Sequence, residues 1–233
     1  MNQIFGYQIL PEDVSSNDVV FEGTQPINIP MDSNSQSWQV RLFAHPSTYL
    51  NFSVSHKNGC CSYVWGIPSH PGIKMSDIPD WCSHIVAEEC YQRFTQLLGT
   101  FVVIIDEPNQ DRITFVTDIM GVRPIFVSKF NDRLVFGSEV RAIQKAGMVK
   151  GSIDYDAVSS WVAYGYNCTG GSLFSDLRRL PPGSAVIFQN GKSTEFPYAE
   201  FKAKPKPSTP TQVSEDLHYI VIHFFVHFYL NIY

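Results

Sequence analysis

Residues 100–105, Thr-Phe-Val-Val-Ile-Ile, form an unbroken β-branched and aromatic run. Such a run offers no polar face to water, so it predicts a fully buried strand with a β-rich core around it. Upstream, residues 4–10, 38–43, 51–55 and 62–67 read as short strands, the first and last stopped by Pro11 and Pro68. Downstream, residues 112–117, 124–129 and 133–138 are further strands, with Asn131-Asp132 favouring a tight hairpin between the last two. Residues 85–98 set Ile85, Cys90, Phe94, Leu97 and Leu98 along one helical stripe, and Gly99 follows as a stop. Residues 154–164 predict a second helix. Leu180-Pro-Pro-Gly183 is a rigid turn launching a strand over 184–188, and Asn190-Gly191 turns the chain into another. The sum is an α+β protein with more strand than helix and no internal repeat.

Hydrophobic residues make up 44% of the chain, enough for a proper core, which excludes a mainly disordered protein. Acidic residues outnumber basic ones 22 to 17 without any basic stripe, so nucleic acid is not an expected partner. The five cysteines contain no C-x-x-C pair and the seven histidines no H-E-x-x-H. Neither a disulfide framework nor a metal site is therefore expected, and reduced thiols point to a cytoplasmic protein. The opening residues lack the basic and apolar regions of a secretory signal. Three zones follow: a domain over 1–201, a Pro/Lys/Thr linker over 202–211 that cannot hold a helix or a ladder, and an apolar tail over 212–233.

Five segments, in order, carry a family resemblance. Met1-Asn-Gln-Ile-Phe-Gly6 resembles M-C-x-I-F-G, and Leu98-Gly-Thr-Phe101 with Asp106 resembles L-x-G-x-F-A-F-x-x-x-D. Thr117-Asp-Ile-Met-Gly-Val-Arg-Pro124 resembles R-D-x-x-G-x-x-P-L, and Leu134-Val-Phe-Gly-Ser-Glu139 resembles L-x-F-A-S-E. Ser172-Leu-Phe174 with Arg179-Leu-Pro-Pro-Gly183 resembles T-L-F-x-x-I-x-x-L-P-P-G. Together they resemble the amino-terminal class II glutamine amidotransferase domain of the asparagine synthetase family. The resemblance implies an N-terminal-nucleophile hydrolase fold, an αββα sandwich of two antiparallel sheets flanked by helices. Most of these residues read as structural. Gly121 permits a turn, Pro124 leads into a strand, Asp118 can accept turn N–H groups, and Glu139 suits a helix's first turn.

The chemistry that the resemblance implies is missing at its centre. In the family the second residue is Cys, whose thiolate attacks the glutamine carboxamide while its α-amine, with a pKa of about 8, acts as base. Here Asn2 occupies that position, and a carboxamide is no nucleophile. The family's R-H-R-G-P-D and G-S-D-x-E segments have no counterpart, and Thr117 stands where the family has Arg. Its N-G-E-I-Y-N oxyanion loop has a remnant in Asn58 and Gly59, which are the candidate substrate-binding residues or else a plain hairpin turn. An internal nucleophile at Cys60 or Cys61 would sit too near Gly99 in sequence to match the family's spacing.

No S-G-G-x-D-S or G-x-x-x-x-G-K-[ST] loop occurs, so no cofactor is expected in this chain. ATP and Mg²⁺ belong, by resemblance, to a synthetase domain that is separate or downstream. The leading expectation is an asparagine synthetase-like domain, for asparagine biosynthesis or a related ATP-dependent amide ligation, that does not hydrolyse glutamine. The alternatives are a non-catalytic scaffold or amino-acid- or partner-binding module, and a glutaminase using an internal Cys. Residues 212–233 read as the start of a synthetase domain or an aberrant apolar tail of β-type composition. With three histidines and no basic flank it predicts self-association rather than a membrane span.

Overall fold

A computed structural model describes residues 3–8, 25–27, 38–44, 52–57, 59–130, 133–145, 149–200 and 209–230. In chain order the strands begin with β1 (Gln3–Gln8), β2 (Gln25–Ile27), β3 (Trp38–Ala44), β4 (Phe52–Lys57), β5 (Cys60–Ser69) and β6 (Leu98–Glu107). They continue with β7 (Arg112–Thr117), β8 (Phe126–Phe130), β9 (Arg133–Gly137), β10 (Arg178–Arg179), β11 (Ser184–Gln189) and β12 (Lys192–Pro197). The helices are α1 (Ile78–Ala87), α2 (Val140–Lys145), α3 (Tyr155–Tyr164) and α4 (Pro210–Leu230). One sheet has the order β10-β8-β9-β1-β3-β2 and the other β12-β11-β7-β6-β5-β4. Every pairing in both is antiparallel.

Strand β6 explains the layering. Alternate side chains point to opposite faces, and here both faces are apolar. Val102 and Ile104, with Tyr63, Phe115 and Val186, form the core shared with Val127, Leu134 and Phe136 of the other sheet. Across that interface Phe115 and Phe136 meet edge to face, their centroids 4.8 Å apart. Phe101, Val103 and Ile105 point the other way, where Ile78, Cys82, Ile85 and Val86 of α1 and Phe94 cover them. Behind β9, α2 buries Ala142 and Ile143. The class is α+β, two antiparallel sheets flanked by helices, as the resemblance implies.

Two expectations are corrected. Residues 85–98 are not one helix: α1 ends at Ala87, a separate 3-10 segment spans Tyr91–Gln96, and Leu98 already opens β6. Glu89, at φ 55, breaks the helical path in the left-handed region. Ile85, Phe94 and Leu97 are buried as the stripe demanded, although Cys90 and Leu98 are exposed. Helix α4 spans Pro210–Leu230, so the last two positions of the expected linker are helical and the tail is not β-type, in keeping with a helix start there. Thr209 and Gln212 form a reciprocal cap, Gln212 N–H donating to Thr209 Oγ1 at 3.3 Å and Thr209 N–H to Gln212 Oε1 at 3.1 Å. Pro210 is tolerated as the first helical residue, where its missing N–H costs nothing. The chain divides into compact units Met1–Glu200 and Phe201–Tyr233. Among the described residues no helix is long and apolar enough to cross a membrane. Residues 131–132 and 202–208 lie outside the described residues, although Phe130 and Arg133 pair across the gap between β8 and β9.

At the β6–β7 turn a buried ion pair is closed by two bonds. Arg112 Nε and Nη2 donate to the Glu107 carboxylate at 2.6 and 2.7 Å, with both side chains at least nine-tenths buried. Removing one partner strands the other charge in the interior. Arg112→Ala should lower the urea-unfolding free energy by about 3 kcal/mol. The double replacement Glu107→Gln/Arg112→Met should recover much of that loss. A loss below about 1 kcal/mol would place the pair in the weak surface class instead.

Candidate functional site

The strand registers place the sequence's candidate residues at two opposite ends of the sandwich. Phe5 of β1 and Phe126 of β8 share Gly137 as partner, so the start of β1 lies at the end where the chain enters β8. Asn2 itself lies outside the described residues. In the other sheet the same end holds Gly66, opposite Phe101, and Asp118, whose N–H donates to the Phe101 carbonyl at 3.1 Å. Gly59, Cys60, Asp106 and Arg112 occupy the far end, as the pairs Cys61–Asp106 and Glu107–Arg112 require.

At the β1-start end several polar groups are taken up by the fold, although Arg123 Nε is buried without a hydrogen-bond partner among the described residues. The buried Asp118 carboxylate accepts from Met120 N–H at 3.0 Å, Val122 N–H at 3.1 Å, and Phe101 and Arg123 N–H at 3.3 Å. The Asp118 carbonyl accepts from Gly121 and Gly183, each at 2.9 Å. Gly121, at φ 60, sits where a Cβ would come within 3.0 Å of Pro182. Thr117 Oγ1 donates to the Pro181 carbonyl at 2.6 Å, while Tyr198 Oη donates to the Thr117 carbonyl at 2.5 Å. Asp118, Gly121 and Thr117 are thus structural, as their sequence context suggested.

Gly66, Trp65 and Arg123 were not singled out by the sequence. At φ 134, Gly66 lets β5 approach β6 so closely that a Cβ there would lie 2.1 Å from the Thr100 carbonyl oxygen. The guanidinium of Arg123 stacks 4.7 Å from the Trp65 ring centroid. Burial pushes the Arg123 guanidinium pKa down, partly opposed by Asp118. The one available signal was a glycine inside a strand pattern, which marks close backbone approach.

The far end gathers titratable groups. Asn58 lies outside the described residues, and Gly59 occupies an exposed hairpin turn at φ 73 between β4 and β5. That turn lies at the end of its sheet opposite the end where β1 begins. His56 Nδ1 lies 3.0 Å from Cys61 Sγ. Burial, then the Glu107 charge, pushes the Cys60 thiol up and keeps it protonated, the opposite of what a thiolate nucleophile needs. Tyr63 is raised by burial and by Cys61 and Asp106 beside it. Among the described residues, neither oxygen of fully buried Asp106 has a hydrogen-bond partner. Burial first, then Glu107 and Asp111, pushes its carboxyl up to about 7. Among the described residues no three His, Cys, Asp or Glu side chains converge to hold a metal ion.

Residues 83–199 match the glutamine amidotransferase domain family, and they make up just over half of the 233-residue chain. The chain belongs to that family. This amidotransferase domain is 26% identical over 102 residues to the glutamine-hydrolysing asparagine synthetase 3 of Bacillus subtilis. The match covers 43% of the chain but only 16% of that relative's length. Among solved structures it is similar to the glutamine phosphoribosylpyrophosphate amidotransferase of B. subtilis complexed with ADP and GMP. That similarity has a TM-score of 0.45 and 14% identity over 70% of this chain and 35% of that one. A second, the allosteric regulatory enzyme of purine biosynthesis, matches with a TM-score of 0.43 and 12% identity, over 69% and 35%.

The Asp106 carboxyl binds its proton more tightly in the folded chain than in the unfolded one. Between about pH 4, its unfolded value, and about 7, its folded one, the folded state holds more protons. Stability therefore falls as pH rises through that window. Asp106→Asn should flatten this fall: the variant's stability relative to wild type rises from pH 4 to 7 and levels off above. Parallel stability curves, from urea unfolding at each pH, would show that Asp106 titrates normally.

Proposed function

We propose that this amidotransferase domain serves an asparagine synthetase-type, ATP-dependent amide ligation as a scaffold and does not hydrolyse glutamine. The observation that carries the reading is Asn2 at the family's nucleophile position. Acyl transfer from glutamine needs an attacking group whose lone pair displaces ammonia, and a carboxamide supplies none. The Arg123–Trp65 stack and the glycine-tight β5–β6 contact support it, because both fill space at the β1-start end by packing. The raised pKa of the half-buried Cys60 thiol speaks against that residue as an internal nucleophile. On this reading the ligase partner is a cytoplasmic synthetase domain, which would hold ATP and Mg²⁺ and activate the carboxylate.

Ammonia release from L-glutamine by the full chain should not exceed that of a heat-killed control. Asn2→Cys alone should not restore it, since the substrate-holding segments are also missing. Release above control that disappears in Cys60→Ala or Cys61→Ala would establish an internal nucleophile and end the scaffold reading.

A further inference from the structure

Among the ten residues of α3, Ala157 alone is buried. The conformation of the helix is fixed by its ends. Asp154 accepts from Asp156 and Ala157 N–H, each at 3.0 Å, and Gly165, at φ 76, donates to the Trp161 carbonyl at 2.8 Å. The following loop returns to the same start, Asp154 N–H donating to the Leu173 carbonyl at 3.0 Å. A helix this short takes most of its stability from a packed apolar face, and here the apolar groups turn outward. Tyr155 is 75% exposed, Val162 74%, Tyr164 68% and Trp161 55%, with Tyr166 beyond the helix at 63%. At about 100° per residue, Tyr155, Ser159 and Val162 fall on the side opposite Ala157. Over residues 151–177 the charged side chains are Asp154, Asp156 and Asp176, with no Lys or Arg. Asp176 is taken up by the N–H groups of Lys150 and Gly151. Exposed Tyr and Trp with few charges among them is the composition of an interface core.

We propose that α3 is the contact through which two copies of this chain form a two-fold symmetric dimer, with the two helices antiparallel. Tyr155 and Val162 lie about two helical turns apart, with Ser159 between them on the same face. An antiparallel crossing centred on Ser159 sets the Tyr155 of each copy against the Val162 of the other, the self-complementary pairing that a two-fold axis requires. Charge selects the same orientation. Asp154 and Asp156 both lie at the start of α3, so antiparallel helices hold the two acidic ends apart, whereas parallel ones would bring like charges together. The exposed area is also of the right order. The four aromatic side chains and Val162 offer roughly 600 Å² per copy, taking 150–250 Å² for a whole aromatic side chain. A standard interface takes about 800 Å² from each partner, its polar rim included. The dimer neither needs nor excludes glutamine hydrolysis, so it stands or falls apart from the scaffold reading.

The test is the mass of the full chain in reducing buffer, followed by sedimentation equilibrium over a concentration series. Wild type should show a monomer–dimer equilibrium. Val162→Glu and Tyr155→Glu each put a carboxylate inside the contact and should weaken the dimer at least tenfold. Both positions are exposed, so the near-ultraviolet circular dichroism of the variants should match wild type. Leu217→Glu, at an exposed position of α4, should leave the equilibrium unchanged, which separates α3 from association through the tail. Ser159→Cys supplies a second measurement that needs no loss of fold. On mild oxidation it should form a disulfide between the two copies at position 159, located by mass spectrometry of the linked peptides. A monomer at every concentration, a dimer undiminished in both glutamate variants of α3, dissociation by Leu217→Glu in their place, or no disulfide at 159 would overturn the proposal.

Discussion

One buried carboxylate joins the two sheets. Asp118 follows β7 in one sheet and opens the turn that delivers the chain to β8 in the other, and its side chain accepts four backbone N–H groups. One comes from Phe101 on β6 and three from the turn itself, so the strand and the crossover are fixed to the same two oxygens. The Asp118 carbonyl also receives Gly183, which anchors the Pro-Pro-Gly reversal before β11. Charge-assisted bonds to backbone donors are among the stronger ones, and a buried turn without them would leave several N–H groups unpaired. The facing of Phe115 on Phe136, and hence the shared core, depends on this joint.

The same joint lies at the end of the sandwich where β1 begins. In this chain that end is filled by contacts that serve packing: a glycine-tight β5–β6 approach, the Arg123–Trp65 stack and a fully subscribed Asp118. The opposite end is the reverse. It holds Asp106, with no donor among the described residues, the Glu107–Arg112 pair and the His56–Cys61 contact.

Much of the framework was legible in the sequence because it rests on short-range rules. The run over 100–105 could only be a two-faced buried strand. Asn190-Gly191 could only be a tight turn, and Asp154 caps α3 by accepting from Asp156 and Ala157 N–H. The helix over 85–98 misled because its stripe is apolar for a tertiary reason: two separate segments, α1 and Tyr91–Gln96, cover the same face of β6. Gly59 drew attention through its Asn-Gly pair, a purely local signal, whereas its distance from β1 is set by strand register. Gly66 and Arg123 matter through contacts between residues 34 to 58 positions apart, which no local pattern encodes.

The proposal to be tested is that the end of the sandwich where β1 begins keeps the family's frame without a working glutamine site. Titration of L-glutamine into the ¹⁵N-labelled full chain tests it most directly, because binding is read apart from turnover. The account predicts no saturable shift of the Gly66, Phe101 and Arg123 amides. Saturable shifts at those residues, weakened by a change at position 123, would show a working glutamine pocket and contradict it.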